Sequence, residues 1–243
     1  MSKEKFLIQQ IPAVLWGDRK EKLIVAIHGA GSHKEDTVIA MLADQAQLMG
    51  YQVLSFDLRG HGERKEEILD RVEKAVKDLS VVMEYAMAQS YQLIDVFACS
   101  MGAYFAMLTF GSEKFQNIHK MYFLSPVISM RQVIENMMQW SGVSKQDLEQ
   151  KQVIALPKMG QTLYQPYYQY VCEHPIQKWK FPTAILYGTN DMMTTQELIH
   201  AFSEKYSCEL TELQDAEHYF HTPEQLAVYQ KWLQKNIGTD NSK

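Results

Sequence analysis

The chain has 243 residues, of which 46% are hydrophobic and 22% are charged, and its formal net charge at pH 7 is -5. This composition is typical of a folded globular protein and excludes an intrinsically disordered chain. A net negative charge without a block of Lys or Arg argues against a nucleic-acid partner. The lack of about 18 consecutive apolar residues argues against stable membrane insertion.

Cysteine usage and the N-terminus predict the compartment. The cysteines Cys99, Cys172 and Cys208 are far apart and odd in number, which is neither a disulfide framework nor a metal cluster. The N-terminal residues contain no apolar run of the length found in secretory signals. We therefore expect a cytoplasmic protein with reduced thiols. No metal or cofactor is expected, because the histidines lack the HxxxH and HExxH spacings.

Short apolar runs alternate with longer amphipathic runs, which is the pattern of βαβ units. In chain order the predicted elements are strand 23–27, helix 37–49, strand 53–56, helix 68–88, strand 93–98, helix 102–110, strand 120–124, strand 183–187, helix 194–206, strand 209–213 and helix 223–235. The sequence thus predicts an α/β protein with a mostly parallel central sheet and helices on both faces. The tail 238–243 is expected to fray.

One segment, residues 127–181, breaks this alternation. It contains no run that resembles a strand, and its composition shifts toward Gln, Met and Tyr. We interpret it as a helical insertion. The predicted domains are therefore a core of residues 1–126 and 182–243 and a helical segment, 127–181, inserted into it.

The stretch FACSMGAY, residues 97–104, offers two candidate nucleophiles, Cys99 and Ser100. A sharp strand-to-helix turn that exposes a nucleophile needs small residues two positions before and two positions after it. Ser100 has Ala98 and Gly102 at these positions, whereas Cys99 has two bulky residues. Ser100 is the predicted nucleophile, and Cys99 is expected to pack as a small hydrophobic residue.

The pentapeptide ACSMG, residues 98–102, resembles the G-x-S-x-G nucleophile elbow of the α/β-hydrolase superfamily, with alanine in place of the first glycine. Taken alone, so short a match is also compatible with an ordinary β-to-α turn. In this superfamily the nucleophile is followed along the chain by an acid and then by a histidine.

A serine hydroxyl needs a base, usually a histidine held by a carboxylate. Asp191 lies in the turn that follows the apolar run 185–187, and His218 lies in the loop before the last predicted helix. We predict Asp191 as the acid and His218 as the base. Some relatives carry the acid after the preceding strand, but the corresponding residues 124–126 contain no carboxylate.

Two residues compete for these roles. His221 lies in the same loop as His218, yet Thr222 and Pro223 have the pattern of a helix N-cap and first turn, which favours a supporting role for His221. Asp215 precedes His218 by only three residues, whereas the clamping carboxylate usually comes from a separate loop.

Acyl transfer also needs two N–H donors for the oxyanion. The residue after the nucleophile, Met101, supplies one at the start of a helix. The stretch HGAGS, residues 28–32, resembles the HGxG-type oxyanion loop of the superfamily, which implies the Ala30 N–H as the second donor. On its own, His28 with Gly29 is also compatible with a plain strand-ending turn.

Residues 57–63, DLRGHGE, resemble the D-x-R-G-x-G loop found in many of these hydrolases. We expect Asp57 and Arg59 to brace this loop through hydrogen bonds while the glycines permit its bends. His61 is not expected to take part in catalysis.

Four matches in the required order identify the chain as a member of the α/β-hydrolase superfamily, similar to carboxylesterases and monoacylglycerol lipases with a small cap. The resemblance implies that segment 127–181 is the cap, whose apolar side chains either line the substrate pocket or only pack on the core. Candidate pocket residues are His28, Gly29, Met137, Met138, Trp140, Tyr164 and Tyr168, and the segment also offers the aromatic side chains of Tyr167 and Tyr170.

The resemblance implies a serine hydrolase that cleaves a carboxylic ester or thioester of a small, apolar acyl substrate through an acyl-enzyme. Carbon–carbon bond hydrolysis uses the same triad and stays open. A second class also stays open: a hydrolase-like sensor or binding protein with little turnover. The natural substrate and the oligomeric state do not follow from the sequence.

Overall fold

The computed structural model describes residues 1–112 and 114–238. The described residues form ten strands: β1 (Lys3–Ile8), β2 (Ile11–Trp16), β3 (Lys22–Ile27), β4 (Tyr51–Phe56), β5 (Leu93–Cys99), β6 (Met121–Leu124), β7 (Val153–Leu156), β8 (Gln161–Tyr164), β9 (Thr183–Gly188) and β10 (Glu209–Leu213). Eight of them form one sheet in the order β1-β2-β4-β3-β5-β6-β9-β10. Strand β2 runs antiparallel to both of its neighbours, and the pairs from β4 to β10 are parallel.

Helices cover both faces of this sheet. The α-helices of the described residues are α1 (Thr37–Leu48), α2 (Val72–Met87), α3 (Met101–Phe110), α4 (Met130–Ser141), α5 (Lys145–Lys151), α6 (Gln165–Glu173), α7 (Gln196–Tyr206) and α8 (Pro223–Asn236). Buried side chains of α1 and α8 belong to the hydrophobic cluster on one face. Those of α2, α3 and α7 belong to the cluster on the other face. This arrangement confirms the predicted α/β class.

Strand β3 shows why the central strands appear in the sequence as continuous apolar runs. Ile24 and Ala26 pack in the cluster with α1 and α8, whereas Val25 and Ile27 pack in the opposite cluster. Alternate side chains of a strand point to opposite faces, so a strand covered by helices on both sides must be apolar at every position.

The antiparallel strands β1 and β2 were not among the predicted elements. They pair in register from Lys3 with Trp16 to Ile8 with Ile11. Most of β1 is exposed at the edge of the sheet, so the chain lacks the continuous apolar run by which the central strands were recognised. The largest difference in a predicted boundary is at helix α2, which begins at Val72 rather than at residue 68.

The prediction that segment 127–181 contains no strand is wrong. Strands β7 and β8 form an antiparallel hairpin there, with Val153 paired to Tyr164 and Leu156 paired to Gln161. Each strand has only four residues and most of their side chains are exposed or partly exposed, so no apolar run marks them in the sequence. The segment between β6 and β9 thus contains α4, α5, this hairpin and α6.

No helix within the described ranges is both long and apolar enough to cross a membrane. The tail expected to fray, residues 238–243, lies outside the described residues except for residue 238.

Candidate active site

Ser100 occupies the turn between β5 and α3, at the carboxyl end of the central strands. Its backbone has φ 51° and ψ -119°, a conformation that side-chain-bearing residues seldom adopt and that is often retained at functional sites. The turn brings α3 against the end of β3, because a Cβ on Gly102 would lie 2.5 Å from the His28 carbonyl oxygen. The steric requirement for a small residue at Gly102 is therefore met.

Three side chains from separate loops form one hydrogen-bonded chain. His218 Nδ1 lies 2.6 Å from Asp191 Oδ2, and His218 Nε2 lies 2.7 Å from Ser100 Oγ. A carboxylate only accepts, so Nδ1–H donates to Asp191 and leaves Nε2 to accept the Ser100 proton. The structure thus brings together the three residues for which the sequence predicted nucleophile, base and acid.

Asp191 is held in place by its second carboxylate oxygen. Oδ1 accepts hydrogen bonds from the N–H groups of Met193, at 2.7 Å, and Thr194, at 3.1 Å. The Thr194 hydroxyl in turn donates to the Pro126 carbonyl oxygen. Both carboxylate oxygens are therefore occupied, and the one that faces His218 has a fixed direction.

Close backbone contact joins the loop of Asp191 to the loop of His218. The Asn190 N–H donates to the Ala216 carbonyl oxygen at 2.9 Å. At Gly188 a side chain would collide with that same carbonyl group, so the end of β9 requires glycine. These contacts set the separation between Asp191 and His218.

The two competing residues, Asp215 and His221, are not part of the hydrogen-bonded chain formed by Ser100, His218 and Asp191. Asp215 is exposed, and within the described residues it makes no hydrogen bond to His218. The His221 ring is stacked on Tyr219 at a centroid distance of 5.1 Å, and its Nδ1 contacts the Tyr219 carbonyl oxygen. Thr222 caps α8, as the sequence predicted.

Cys99 is unsuited to nucleophilic attack. Desolvation of its side chain, with smaller contributions from the charges of Asp36 and Asp191, raises the pKa of the Cys99 thiol to about 12. The reactive form of a cysteine is the thiolate, so Cys99 stays protonated and unreactive near neutral pH.

Two backbone N–H groups flank Ser100. The loop after β3 touches the nucleophile, since a Cβ on Gly29 would lie 3.0 Å from Ser100 Cβ. Ala30 and Met101 line the same cavity as Ser100. Among the described residues neither of these two N–H groups donates a hydrogen bond, so both are available to a ligand.

His28 lies behind this loop rather than in the substrate pocket for which it was predicted. It is fully buried, and the Leu58 N–H donates to its Nε2 at 3.0 Å. The ring therefore carries its proton on Nδ1 and donates it to the Gly29 carbonyl oxygen at 2.7 Å. Burial lowers the pKa of His28 to about 4. It braces the loop as a neutral imidazole.

A buried ion pair joins the loop after β3 to the loop after β4. The carboxylate of Asp57, 0% exposed, accepts hydrogen bonds from both the N–H and the ammonium of Lys34 and from the Glu63 N–H. Burial alone would raise the pKa of Asp57, but these bonds lower it below its ordinary value. A side chain at Gly62 would collide with this carboxylate.

Arg59 braces the same loop from outside. Its guanidinium lies 2.6 Å from Glu67 and 3.2 Å from Asp78. The predicted bracing by Asp57 and Arg59 is confirmed. The part played by Lys34 was missed, because lysines are usually exposed and nothing in the sequence indicates that this one pairs with Asp57.

A cavity of about 740 Å³ opens above Ser100. One side, here the core wall, is formed by loops at the strand ends and includes Ala30, Ser100, Met101, His218 and residues 59–61, 65 and 67–69. The other side, here the segment wall, comes from segment 127–181 and includes Met130, Met137, Trp140, Tyr164, Tyr167 and Tyr168. The core wall therefore carries Ser100 and His218, and the segment wall is mostly apolar, with aliphatic as well as aromatic side chains.

Four predicted pocket residues line the cavity: Met137, Trp140, Tyr164 and Tyr168. Three others are corrected. His28 and Gly29 lie below the cavity floor, and Met138 is buried against the core, where its position on α4 turns it away from Met137. Tyr167, which the sequence also offered, lines the cavity as well, whereas Tyr170 does not. In an amphipathic helix the sequence does not distinguish the side that packs from the side that lines a cavity.

Comparison with known proteins supports this picture. A family model described as "Hydrolase_4: Serine aminopeptidase, S33" matches residues 18–166, more than half of the chain. No curated protein sequence matches the chain.

Several solved structures have the same fold. Est1E from Butyrivibrio proteoclasticus, bound to ferulic acid, is 21% identical with a TM-score of 0.75 and covers 97% of this chain and 100% of its own. The esterase Pf2001 from Pyrococcus furiosus is 18% identical, with a TM-score of 0.67 and coverages of 98% and 90%. Mouse alpha/beta hydrolase domain-containing protein 10 is 12% identical, with a TM-score of 0.75 and both coverages 98%.

Proposed function

This chain belongs to the Hydrolase_4 family (serine aminopeptidase, S33) and is a serine hydrolase of the α/β-hydrolase fold, and we propose that it is a carboxylesterase. Its proposed substrate is a carboxylic ester or thioester with a small, apolar acyl group. The observation that carries the proposal is the hydrogen-bonded chain Ser100–His218–Asp191, with distances of 2.7 and 2.6 Å, beneath the cavity.

In the proposed first half-reaction, Ser100 Oγ attacks the acyl carbonyl carbon while His218 Nε2 takes the hydroxyl proton. The tetrahedral intermediate collapses, and the imidazolium returns that proton to the departing alcohol or thiol. In the second half-reaction His218 takes a proton from water, the hydroxide attacks the acyl-enzyme, and the carboxylic acid leaves as Ser100 regains its proton.

Two N–H groups stabilise the oxyanion in both half-reactions. The proposed donors are Ala30, in the loop after β3, and Met101, at the first position of α3. A helix N-terminus carries partial positive charge, and each fixed donor at an oxyanion site contributes roughly 2.7–4 kcal/mol to lowering the barrier. Their lack of other partners among the described residues supports this role.

Asp191 is the proposed orienting acid. By accepting the Nδ1–H of His218 it fixes the tautomer in which Nε2 faces the nucleophile, and it stabilises the imidazolium that forms during each half-reaction. The two backbone hydrogen bonds on its other oxygen support this assignment, because they fix the direction in which the carboxylate faces His218.

Segment 127–181 is the proposed cap on a core of residues 1–126 and 182–243. Its apolar wall supports an acyl group without charge, since burying an unpaired charge would be costly. A small ester substrate is also supported by Est1E, whose structure holds ferulic acid.

The cavity favours an ester over a peptide with a free α-ammonium group, although the family description names an aminopeptidase. Within the described part of the chain, Glu67 supplies the only carboxylate on the cavity wall. It pairs with Arg59 at 2.6 Å and with Arg64 at 2.8 Å. A substrate ammonium would have to compete with two guanidinium groups for it.

The test is a series of p-nitrophenyl esters of increasing acyl length, assayed with the wild-type protein and with Ser100→Ala. We expect hydrolysis that depends on Ser100 and that peaks at one chain length. Folded wild-type protein that hydrolyses none of these esters would instead favour a sensor or binding protein with little turnover.

A further inference from the structure

Thr194 connects three parts of the fold through hydrogen bonds. It is fully buried in the loop between β9 and α7, three residues after Asp191. Its N–H donates to Asp191 Oδ1 at 3.1 Å, and its hydroxyl donates to the Pro126 carbonyl oxygen at 2.8 Å. Its own carbonyl oxygen accepts a hydrogen bond from the Tyr187 hydroxyl at 2.8 Å. The N–H, the hydroxyl and the carbonyl group of this one residue are therefore all paired.

The acceptor of this threonine hydroxyl lies where segment 127–181 leaves the core. Residues 125–127, here the segment root, follow β6 and make backbone hydrogen bonds to two parts of the core. The Ser125 N–H donates to a carbonyl oxygen of β9 at 2.8 Å, and the Val127 N–H donates to the Ser100 carbonyl oxygen at 3.1 Å. The segment root is therefore bonded directly to the residue that carries the nucleophile.

The backbone of the segment root is held in one conformation. The φ angle of Ser125 is 44°, in the left-handed region that residues with a side chain seldom adopt. Such a conformation persists only where the surrounding structure holds it, and Ser125 is fully buried. The segment root therefore gives the Thr194 hydroxyl a fixed anchor.

The loop that carries Asp191 needs an anchor of this kind. Both N–H groups bonded to Asp191 Oδ1, those of Met193 and Thr194, belong to the same loop. They fix the carboxylate relative to the loop, but they do not fix the loop relative to Ser100. The Met192 side chain is 67% exposed and adds little packing. The Thr194 hydroxyl bonds the end of this loop to the segment root, which is bonded in turn to Ser100.

We propose that Thr194 is a positioning residue, whose hydroxyl keeps the Asp191 carboxylate aimed at His218 Nδ1 by holding the Pro126 carbonyl oxygen. The proposal rests on the proposed esterase function, and it adds that the segment root contributes to reactivity. The Thr194 hydroxyl transfers no proton and contacts no substrate. It acts through Asp191 alone.

The first experiment removes the hydroxyl and keeps the shape of the side chain. Thr194→Val should lower kcat for a p-nitrophenyl ester by about 3- to 10-fold, the range expected from one net hydrogen bond. KM should stay unchanged, because Thr194 does not line the cavity. Thr194→Ser keeps the hydroxyl and should keep most of kcat. If Thr194→Val keeps the wild-type kcat, the proposal is wrong.

Thr183→Val is the matched control. Thr183 is also buried, and its hydroxyl donates to the Phe181 carbonyl oxygen at 2.8 Å. It begins β9, however, whereas Asp191 follows the other end of that strand. We expect this variant to keep the wild-type kcat. Equal losses in the two valine variants would mean that kcat falls with the loss of any buried hydroxyl bond, and would contradict a specific role for Thr194.

A double variant tests whether Thr194 acts through Asp191. In Asp191→Asn the carboxylate that Thr194 positions is already gone, so adding Thr194→Val should lower kcat no further. A general loss of structure would instead add to the loss caused by Asp191→Asn. A further decrease of about 3- to 10-fold on that background would therefore overturn the proposal.

The proton between His218 Nδ1 and Asp191 Oδ2 gives a readout that does not need turnover. The two atoms are only 2.6 Å apart, and a proton in so short a hydrogen bond resonates far downfield in an NMR spectrum. This resonance should move upfield in Thr194→Val and stay in place in Thr183→Val.

Tyr187→Phe removes the donor on the Thr194 carbonyl oxygen and loosens the same residue from another side. It should move the resonance in the same direction, and it replaces Thr194→Val if that variant does not fold. A resonance that stays in place in these variants overturns the positioning role. The esterase proposal fails separately, if the wild-type protein hydrolyses no ester.

Discussion

The two walls of the cavity are built on different physical principles. The core wall is fixed by directed bonds: Asp191 has both carboxylate oxygens occupied, and Asp57 binds Lys34 twice. The segment wall is held by apolar packing, with few hydrogen bonds among its side chains. We therefore expect reactivity to depend on positions that tolerate little change, and substrate choice to depend on a surface whose shape can vary.

The largest expected effect is on the core wall. Ser100→Ala should lower kcat/KM for a p-nitrophenyl ester by roughly 10⁴-fold or more, because no other group can form the acyl-enzyme. Cys99→Ala is the adjacent control and should keep most of the activity. Comparable losses in the two variants would contradict the choice of Ser100 as the nucleophile.

Replacing the orienting acid should be nearly as severe. Asp191→Asn should lower kcat by about 10³- to 10⁴-fold, because the amide no longer selects the tautomer of His218 that exposes Nε2. Asp215→Asn, at the exposed neighbouring carboxylate, should have little effect. Suppose instead that Asp191→Asn loses much less activity than this and that adding Asp215→Asn abolishes the remaining activity. That result would mean that Asp215 can replace Asp191.

The ion pair beneath the core wall should matter for stability. Lys34→Met leaves the Asp57 carboxylate buried without its cation, which should lower the free energy of unfolding by about 3 kcal/mol. Lys65→Met, at an exposed lysine on the cavity wall, is the control for loss of charge. Urea denaturation measures both, and equal small changes would contradict a structural role for Lys34.

The buried His28 should make folding sensitive to acid. Its folded pKa, about 4, lies below the ordinary 6.5, so between these pH values the unfolded chain binds a proton that the folded chain does not. Stability should therefore fall as the pH is lowered through this window, by about 2 kcal/mol at pH 5. Denaturation curves of His28→Gln should show a smaller decrease in the free energy of unfolding as the pH is lowered. If the wild-type protein and His28→Gln lose stability in parallel, His28 is not the origin of the acid sensitivity.

The smallest effect is expected on the segment wall. Met137→Ala should enlarge the cavity and shift the preferred acyl length upward by one or two carbons, with roughly a 4-fold change in relative kcat/KM per methylene. Met138→Ala is the matched control on the same helix, since Met138 is buried away from the cavity. It should lower stability and leave the preference unchanged. A shift of the preferred acyl length in both variants would contradict the assignment of Met137, and not Met138, to the cavity.

The sequence led to Ser100, Asp191 and His218 because each of these residues follows a recognisable local pattern. Ser100 lies between small residues that a tight turn requires, Asp191 follows an apolar strand, and His218 lies in the loop before the last helix. In a parallel sheet the carboxyl ends of the strands meet at one edge, so residues that are distant in sequence come together by topology alone.

The segment wall and the buried ion pair between Lys34 and Asp57 were not predictable by the same means. The hairpin β7–β8 is too short and too exposed to produce an apolar alternation. Nothing local distinguishes Met137 from Met138, or Tyr167 from Tyr168. The pairing of Lys34 with Asp57 depends on two loops that meet only in the folded protein.

Intact mass after treatment with a fluorophosphonate, which phosphonylates an activated serine, tests the central claim most directly. The proposed triad predicts a single adduct on the wild-type protein, none on Ser100→Ala, and an adduct on Cys99→Ala. An unmodified, folded wild-type protein would contradict an active Ser100–His218–Asp191 triad, and so would an adduct that persists in Ser100→Ala.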